Sequence, residues 1–158
     1  MPLDSDPLAS ALTLSDWWTM LACATAWQAI AEAFANVDPG AARIAWKHAA
    51  DAYGVYNEEH AAHLPASRFD HDYGPELSAA EAAARSLPVA APSAALPEWL
   101  RATLERRFTD ALGALREPPT DGPGRAATRI LALACRAGKR VGDAERLEAW
   151  AAAWAEPA

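Results

Sequence analysis

Alanine occupies 42 of the 158 positions, and no other feature of the sequence limits the possible folds so sharply. It is the strongest intrinsic helix former and is depleted from strands, so an all-α fold is expected. Collagen, low-complexity disorder and an all-β sandwich are excluded. Although 52% of the residues are apolar, alanine supplies about half of them, and little bulk is left to fill a core. Small alanine faces let helix axes approach closely, and seven tryptophans supply the missing volume.

The length suits one domain. The expected architecture is a single-domain bundle of five or six helices over 15–158, framed by two long antiparallel helices at 15–35 and 39–63. A flexible arm is expected at 1–14, where Pro2 and Pro7 interrupt any periodicity, and a soft division at the Pro/Ala connector 87–96. Ser15 and Asp16 offer a cap to the first long helix, and Asn36 to Gly40 stop it. On that helix Trp17, Met20, Leu21, Cys23, Ala24, Trp27, Ile30, Ala31 and Phe34 form an apolar half. The other half, with Ala22, Ala26, Ala29 and Ala33, is small and uncharged, which suits a second helix or a homodimer through 15–35.

Asp38 and Pro39 open the second long helix, and Leu64-Pro65 end it, followed by a loop over 64–77. The capping-box spacing of Ser78 and Glu81 predicts a short helix over 78–86. Further helices are expected over 97–116, 125–140 and 143–155, separated by the break 117–124 and by Gly142. No internal repeat of fixed period is found.

Net charge is −7, with twelve acids against four bases in residues 1–90 and nine against ten in the remainder. Such a balance disfavours nucleic acid and anionic membranes. Cys23 and Cys135 sit in apolar helical patterns and read as buried thiols in a reducing compartment. With no basic N-terminal region and no run long enough to span a membrane, a cytoplasmic protein is expected.

All four histidines, His48, His60, His63 and His71, fall within 24 residues, beside Asp51, Glu58, Glu59, Asp70 and Asp72. His60, His63, His71 and Asp72 are the candidate ligands for a divalent metal such as zinc, since imidazole and carboxylate donors suit such an ion. None of the specific zinc spacings is present, and a polar helix end with a solvated loop accounts for the same residues. His48 shares a helix face with Asp51 and Glu59, an arrangement fit for acid/base work or for a half-buried, satisfied histidine. Gly-rich phosphate loops and nucleophile motifs are absent from the sequence, so no catalytic residue is assigned.

The helix at 125–140 carries Arg125, Arg129, Arg136, Lys139 and Arg140 on one face, which fits an ordinary wet side better than phosphate recognition. Trp17 and Trp18 are adjacent and cannot both occupy the centre of one stripe, so one faces away from the core. Trp150 and Trp154 form a second aromatic pair. Together these features lead to an expected function: a small acidic protein-binding module, of inhibitor, immunity-type or adaptor kind. Its partner is a protein with a basic surface, met by Phe69, Asp70, Asp72, Tyr73 and Trp18. No cofactor is expected in that reading, and the alternative is a metal-binding bundle or metal-dependent enzyme.

Overall fold

The computed structural model describes residues 6–63 and 73–155, the side chains of Trp17, Ala61, His63 and Ala155 excepted. Every regular element among them is a helix: α1 (Pro7–Thr13), α2 (Trp17–Phe34), α3 (Pro39–His63), α4 (Gly74–Ser86), α5 (Glu98–Leu104), α6 (Phe108–Ala114), α7 (Gly122–Ala137) and α8 (Val141–Ala155). The chain is all-α, as its alanine content requires. Among the described residues no helix is long and apolar enough to cross a membrane. By its contacts the chain divides into two compact units, one drawn from residues 16–91 and the other from the residues before 16 and after 91. The division after residue 91 falls inside the Pro/Ala connector.

In the three-helix unit, α2 starts where Asp16 accepts a hydrogen bond from the Thr19 N–H at 3.0 Å. Ser15 is not the cap; its hydroxyl donates to Leu12 O at the end of α1. Asp38, itself buried, caps α3 through the Ala41 N–H at 3.1 Å, and Pro39 occupies the first turn. The four residues between α2 and α3 force an antiparallel hairpin, in which Gln28 reaches Tyr53 and Trp27 lies on His48. Bulk comes from α2, whose Met20, Trp27, Ile30 and Phe34 are buried; α3 contributes Ala41, Ala42, Ala45, Ala49 and Ala52. On the second face of α2, Ala26 is buried, and Ala22, Ala29 and Ala33 are half-buried.

The helix expected over 78–86 begins one turn earlier, at Gly74, because Pro75 in the first turn sets φ for helix. Ser78 therefore lies inside α4 and is exposed, and Ala80 and Ala84 face α3 and are buried. The segment after α4 crosses the start of α3 at Gly40. A Cβ built there would lie 2.6 Å from Ala90 O and 2.7 Å from Ala91 O.

In the five-helix unit, part of the expected arm is α1. Asp6 caps it by accepting from the Leu8 and Ala9 N–H groups, and Pro7 sits in the first turn. Pro7 opens a helix here rather than breaking one, and Leu8, Ala9 and Leu12 are buried. Asp6 also accepts from the Thr109 N–H at 2.8 Å and the Thr109 hydroxyl at 3.1 Å, tying α1 to the start of α6.

The single helix expected over 97–116 is two, α5 and α6. Arg106 stands at φ 61°, its N–H bonds Thr103 O, and the next N–H, of Arg107, reaches back to Ala102 O at 2.8 Å. These paired bonds are a Schellman close, normally built on glycine. The turn folds α6 back so that Phe108, Ala111, Leu112 and Leu115 are buried. α7 starts at Gly122 because Asp121 caps Gly124 N–H at 3.0 Å, within what the sequence suggested was a break. Ile130, Leu131, Ala134 and Cys135 of α7 and Leu147 of α8 complete this core. Its buried Thr103 and Thr128 hydroxyls donate to the Trp99 and Gly124 carbonyls four residues earlier.

Two glycines of α3 are expected to respond to alanine with opposite signs. Gly40→Ala drives a methyl into rigid backbone oxygens and costs about 1–3 kcal/mol. Gly54→Ala meets nothing within 4 Å and gains about 0.5–1 kcal/mol of helix propensity. Urea unfolding midpoints of the two variants check both signs.

Candidate functional site

Of the expected partner-binding residues, Phe69, Asp70 and Asp72 lie outside the described residues, as does His71 among the expected ligands; the His63 side chain is likewise not described. The two remaining partner-binding candidates occupy contrasting environments. Trp18, on the first turn of α2, is 62% exposed. Tyr73 is half-buried, and its N–H donates to Asn57 Oδ1 at 2.7 Å. Its ring stacks on Tyr53, 6.0 Å between centroids, and meets Tyr56 edge-on at 5.2 Å. Tyr73 thus fastens the start of α4 to the side of α3.

This aromatic cluster continues along α3. Tyr56 lies 5.8 Å from His60, which is only 8% exposed, and the Tyr53 hydroxyl donates to Gln28 Oε1 at 2.8 Å. Burial pushes the Tyr53 phenol above its usual range, with smaller contributions from Glu76, Tyr73 and Glu32. It is therefore a neutral hydrogen-bond donor at physiological pH. Among the described residues no group of three or more His, Cys, Asp or Glu side chains is placed to hold a metal ion. His48 packs its ring 4.5 Å from that of Trp27, whereas Asp51 and Glu59 are exposed.

The acidic groups of the three-helix unit lie largely at its surface: Glu32, Asp51, Glu58, Glu59, Glu76 and Glu81 are all exposed. The five-helix unit engages its charges internally. The Arg107 guanidinium pairs with Glu105, Asp110 and Glu98 at 2.7, 2.8 and 3.3 Å, and these bonds, Glu105 first, hold it charged. On the basic face of α7, Arg136 grips Glu148 with two bonds of 2.8 and 2.7 Å. That grip raises the Arg136 pKa and lowers that of Glu148. Arg140 meets Asp143 at 2.8 Å, and Arg125 lies 5.2 Å over the Trp154 ring. Arg146 covers Trp150 in the same way at 5.1 Å, so both C-terminal tryptophans are capped by cations of their own unit. Arg129 is exposed on α7, whereas Lys139 and Arg140, expected on the same helix face, lie beyond its end at Ala137, in the turn that closes it. With three of the five cations expected over 125–140 engaged, this segment offers few to a phosphate backbone.

One cleft of about 360 Å³ lies within the five-helix unit, between α1, the start of α6 and the end of α7. Sequence reasoning missed it, although a signal was present. Arg106-Arg107-Phe108-Thr109-Asp110-Ala111 and Lys139-Arg140-Val141-Gly142-Asp143-Ala144 share a cation, an arginine, an apolar residue, an aspartate three beyond the arginine and an alanine. Both segments form the same turn: Lys139 stands at φ 63°, its N–H bonds Arg136 O, and the Arg140 N–H bonds Cys135 O. No protein-family model matches the chain, and comparison with curated proteins and with solved structures found no match.

Both cysteines are free thiols and buried. Burial pushes the Cys135 thiol up to about 11 from an ordinary 9.0. It is expected to resist a disulfide-exchange reagent at pH 8 until the protein unfolds, as stopped-flow thiol titration in and out of denaturant checks. Because the folded pKa is the higher one, its contribution to stability is complete below about pH 9. That contribution is lost as pH rises from there through about 11.

Proposed function

We propose that the chain is a small acidic helical protein-binding module, of inhibitor, immunity-type or adaptor kind, acting in the cytoplasm on a partner protein with a basic surface. In this reading the long helices α2 and α3 are the frame, and the working surface belongs to the unit of residues 16–91. The observation that carries it is Trp18, a large rigid aromatic side chain 62% exposed on a unit with ten acids against four bases. Tryptophan at the centre of a contact supplies much of its energy, and a surrounding charge of one sign speeds encounter with the opposite sign. The absence from the sequence of a nucleophile or phosphate-binding motif supports binding over catalysis.

Partner capture followed by binding kinetics tests the reading. Association is expected to slow about tenfold or more between about 0.02 and 0.15 M salt. The double reversal Glu58→Lys with Glu59→Lys, and that of Asp70→Lys with Asp72→Lys, slow association further. Trp18→Ala and Phe69→Ala act instead on dissociation, each costing about 1–2 kcal/mol. A partner whose association ignores salt and both reversals, and whose dissociation ignores Trp18→Ala, rules this surface out.

A further inference from the structure

The two matching turns of the five-helix unit use their left-handed cations differently. Arg106 donates from its guanidinium to Thr13 Oγ1 at 2.7 Å and so closes the end of α1. Lys139 stands at the equivalent position and lines the cleft beside α1, and its ammonium has no hydrogen-bond or ion-pair partner among the described residues. A glycine directly precedes it, yet the glycine does not take the left-handed conformation. A Cβ at Gly138 would lie 2.4 Å from Leu8 Cδ2, so Gly138 is held by the approach of α1, and the unfavourable φ falls to a lysine.

Exposed Pro7 and half-buried Ala11 give the cleft an apolar wall, and Lys139 and Arg140 a cationic rim, while the Thr109 hydroxyl at its edge already donates to Asp6. Arg140 binds Asp143 through one nitrogen and retains further N–H donors of its five. The carboxylate nearest to Thr109, that of Asp6, is committed to the N–H groups of Leu8, Ala9 and Thr109 and so offers little to an incoming cation. A volume of about 360 Å³ lies at the small end of the range for small-molecule sites.

We propose that this cleft binds a small amphipathic anion, an aliphatic carboxylate. Its chain lies on Pro7 and Ala11, and its head group meets Lys139 and Arg140. The site belongs to the five-helix unit and is independent of the protein-binding surface proposed for residues 16–91. Guanidinium and ammonium donors form short charge-assisted bonds to a carboxylate, and the apolar wall selects an alkyl body over a free inorganic anion.

Sodium octanoate is the probe, titrated into the full-length protein and followed by backbone amide shifts, with 1-octanol as the uncharged control. Shifts are expected to concentrate on Thr109, Gly138, Lys139 and Arg140, with octanol binding about tenfold more weakly. Lys139→Gln weakens octanoate binding about tenfold, and Lys139→Arg retains it. Lys139→Gly separates binding from folding: glycine relaxes the left-handed backbone and raises Tm, while octanoate binding is lost. The proposal is overturned if octanoate causes no shift up to about 50 mM, if it shifts other surfaces only, or if Lys139→Gln leaves binding unchanged.

Discussion

Trp27, Ile30 and Phe34 are almost wholly buried on α2, and the packing of the three-helix unit follows from what α3 sets beside them, which is mainly alanine. An alanine face has no projections to interlock, so its partner must bring the volume, and the two helices are unequal for that reason. The inequality also fixes how each responds to change. Removing an aromatic side chain from such a contact costs about 3–5 kcal/mol, whereas enlarging a buried alanine costs about 1–3 kcal/mol through overpacking. α3 must also accept α4 and the segment that crosses Gly40, which smooth small-residue faces allow on more than one side of a helix.

Helix ends are handled in two ways. Four of the eight described starts rely on aspartate: Asp6, Asp16, Asp38 and Asp121 each accept a backbone N–H, three of them with proline in the first turn. Two ends, those of α5 and α7, rely on left-handed residues that are cations rather than glycines. A positive charge beside the exposed carbonyls at a helix C-terminus is favourable, which offsets part of the cost of φ above zero on a side chain with a Cβ. Glycine is used instead where another group comes close, at Gly40, Gly124 and Gly138.

The all-α class and the courses of α2 and α3 were legible because alanine content, apolar period and the Asp38-Pro39 start all point the same way. The break between α5 and α6 was not legible, because Leu104 and Phe108 are spaced as on one continuous helix and a left-handed arginine has no composition signal. α1 was missed because Pro7 was read as an interruption, although Asp6-Pro7 has the same form as Asp38-Pro39. The candidate site was legible only in part. An exposed tryptophan at position 17 or 18 follows from helical geometry, and Trp18 is indeed exposed. That Tyr73 is half-buried among Tyr53 and Tyr56 depends on a contact between residues 16 and more apart, which no local pattern encodes.

The two units differ in the range of their charge as well as in its excess. In the five-helix unit, Arg107 with its three carboxylates, Arg136 with Glu148, and Arg140 with Asp143 are exposed or half-exposed pairs. In the Arg136 and Arg140 pairs the two opposite charges nearly cancel a few ångströms away, and around Arg107 one cation offsets part of three carboxylates. In residues 16–91 ten acids face four bases, so one-to-one pairing cannot remove the excess. What remains is a net field that extends about 8 Å at physiological ionic strength and farther at low salt. A salt-dependent association rate is therefore the signature of the surface proposed on the three-helix unit, whereas the binding proposed for the cleft between α1 and α7 rests on short contacts to Lys139 and Arg140 and on its apolar wall. The two proposed sites are separable by physics as well as by sequence position, since one is argued from long-range attraction before contact and the other from contacts made after it.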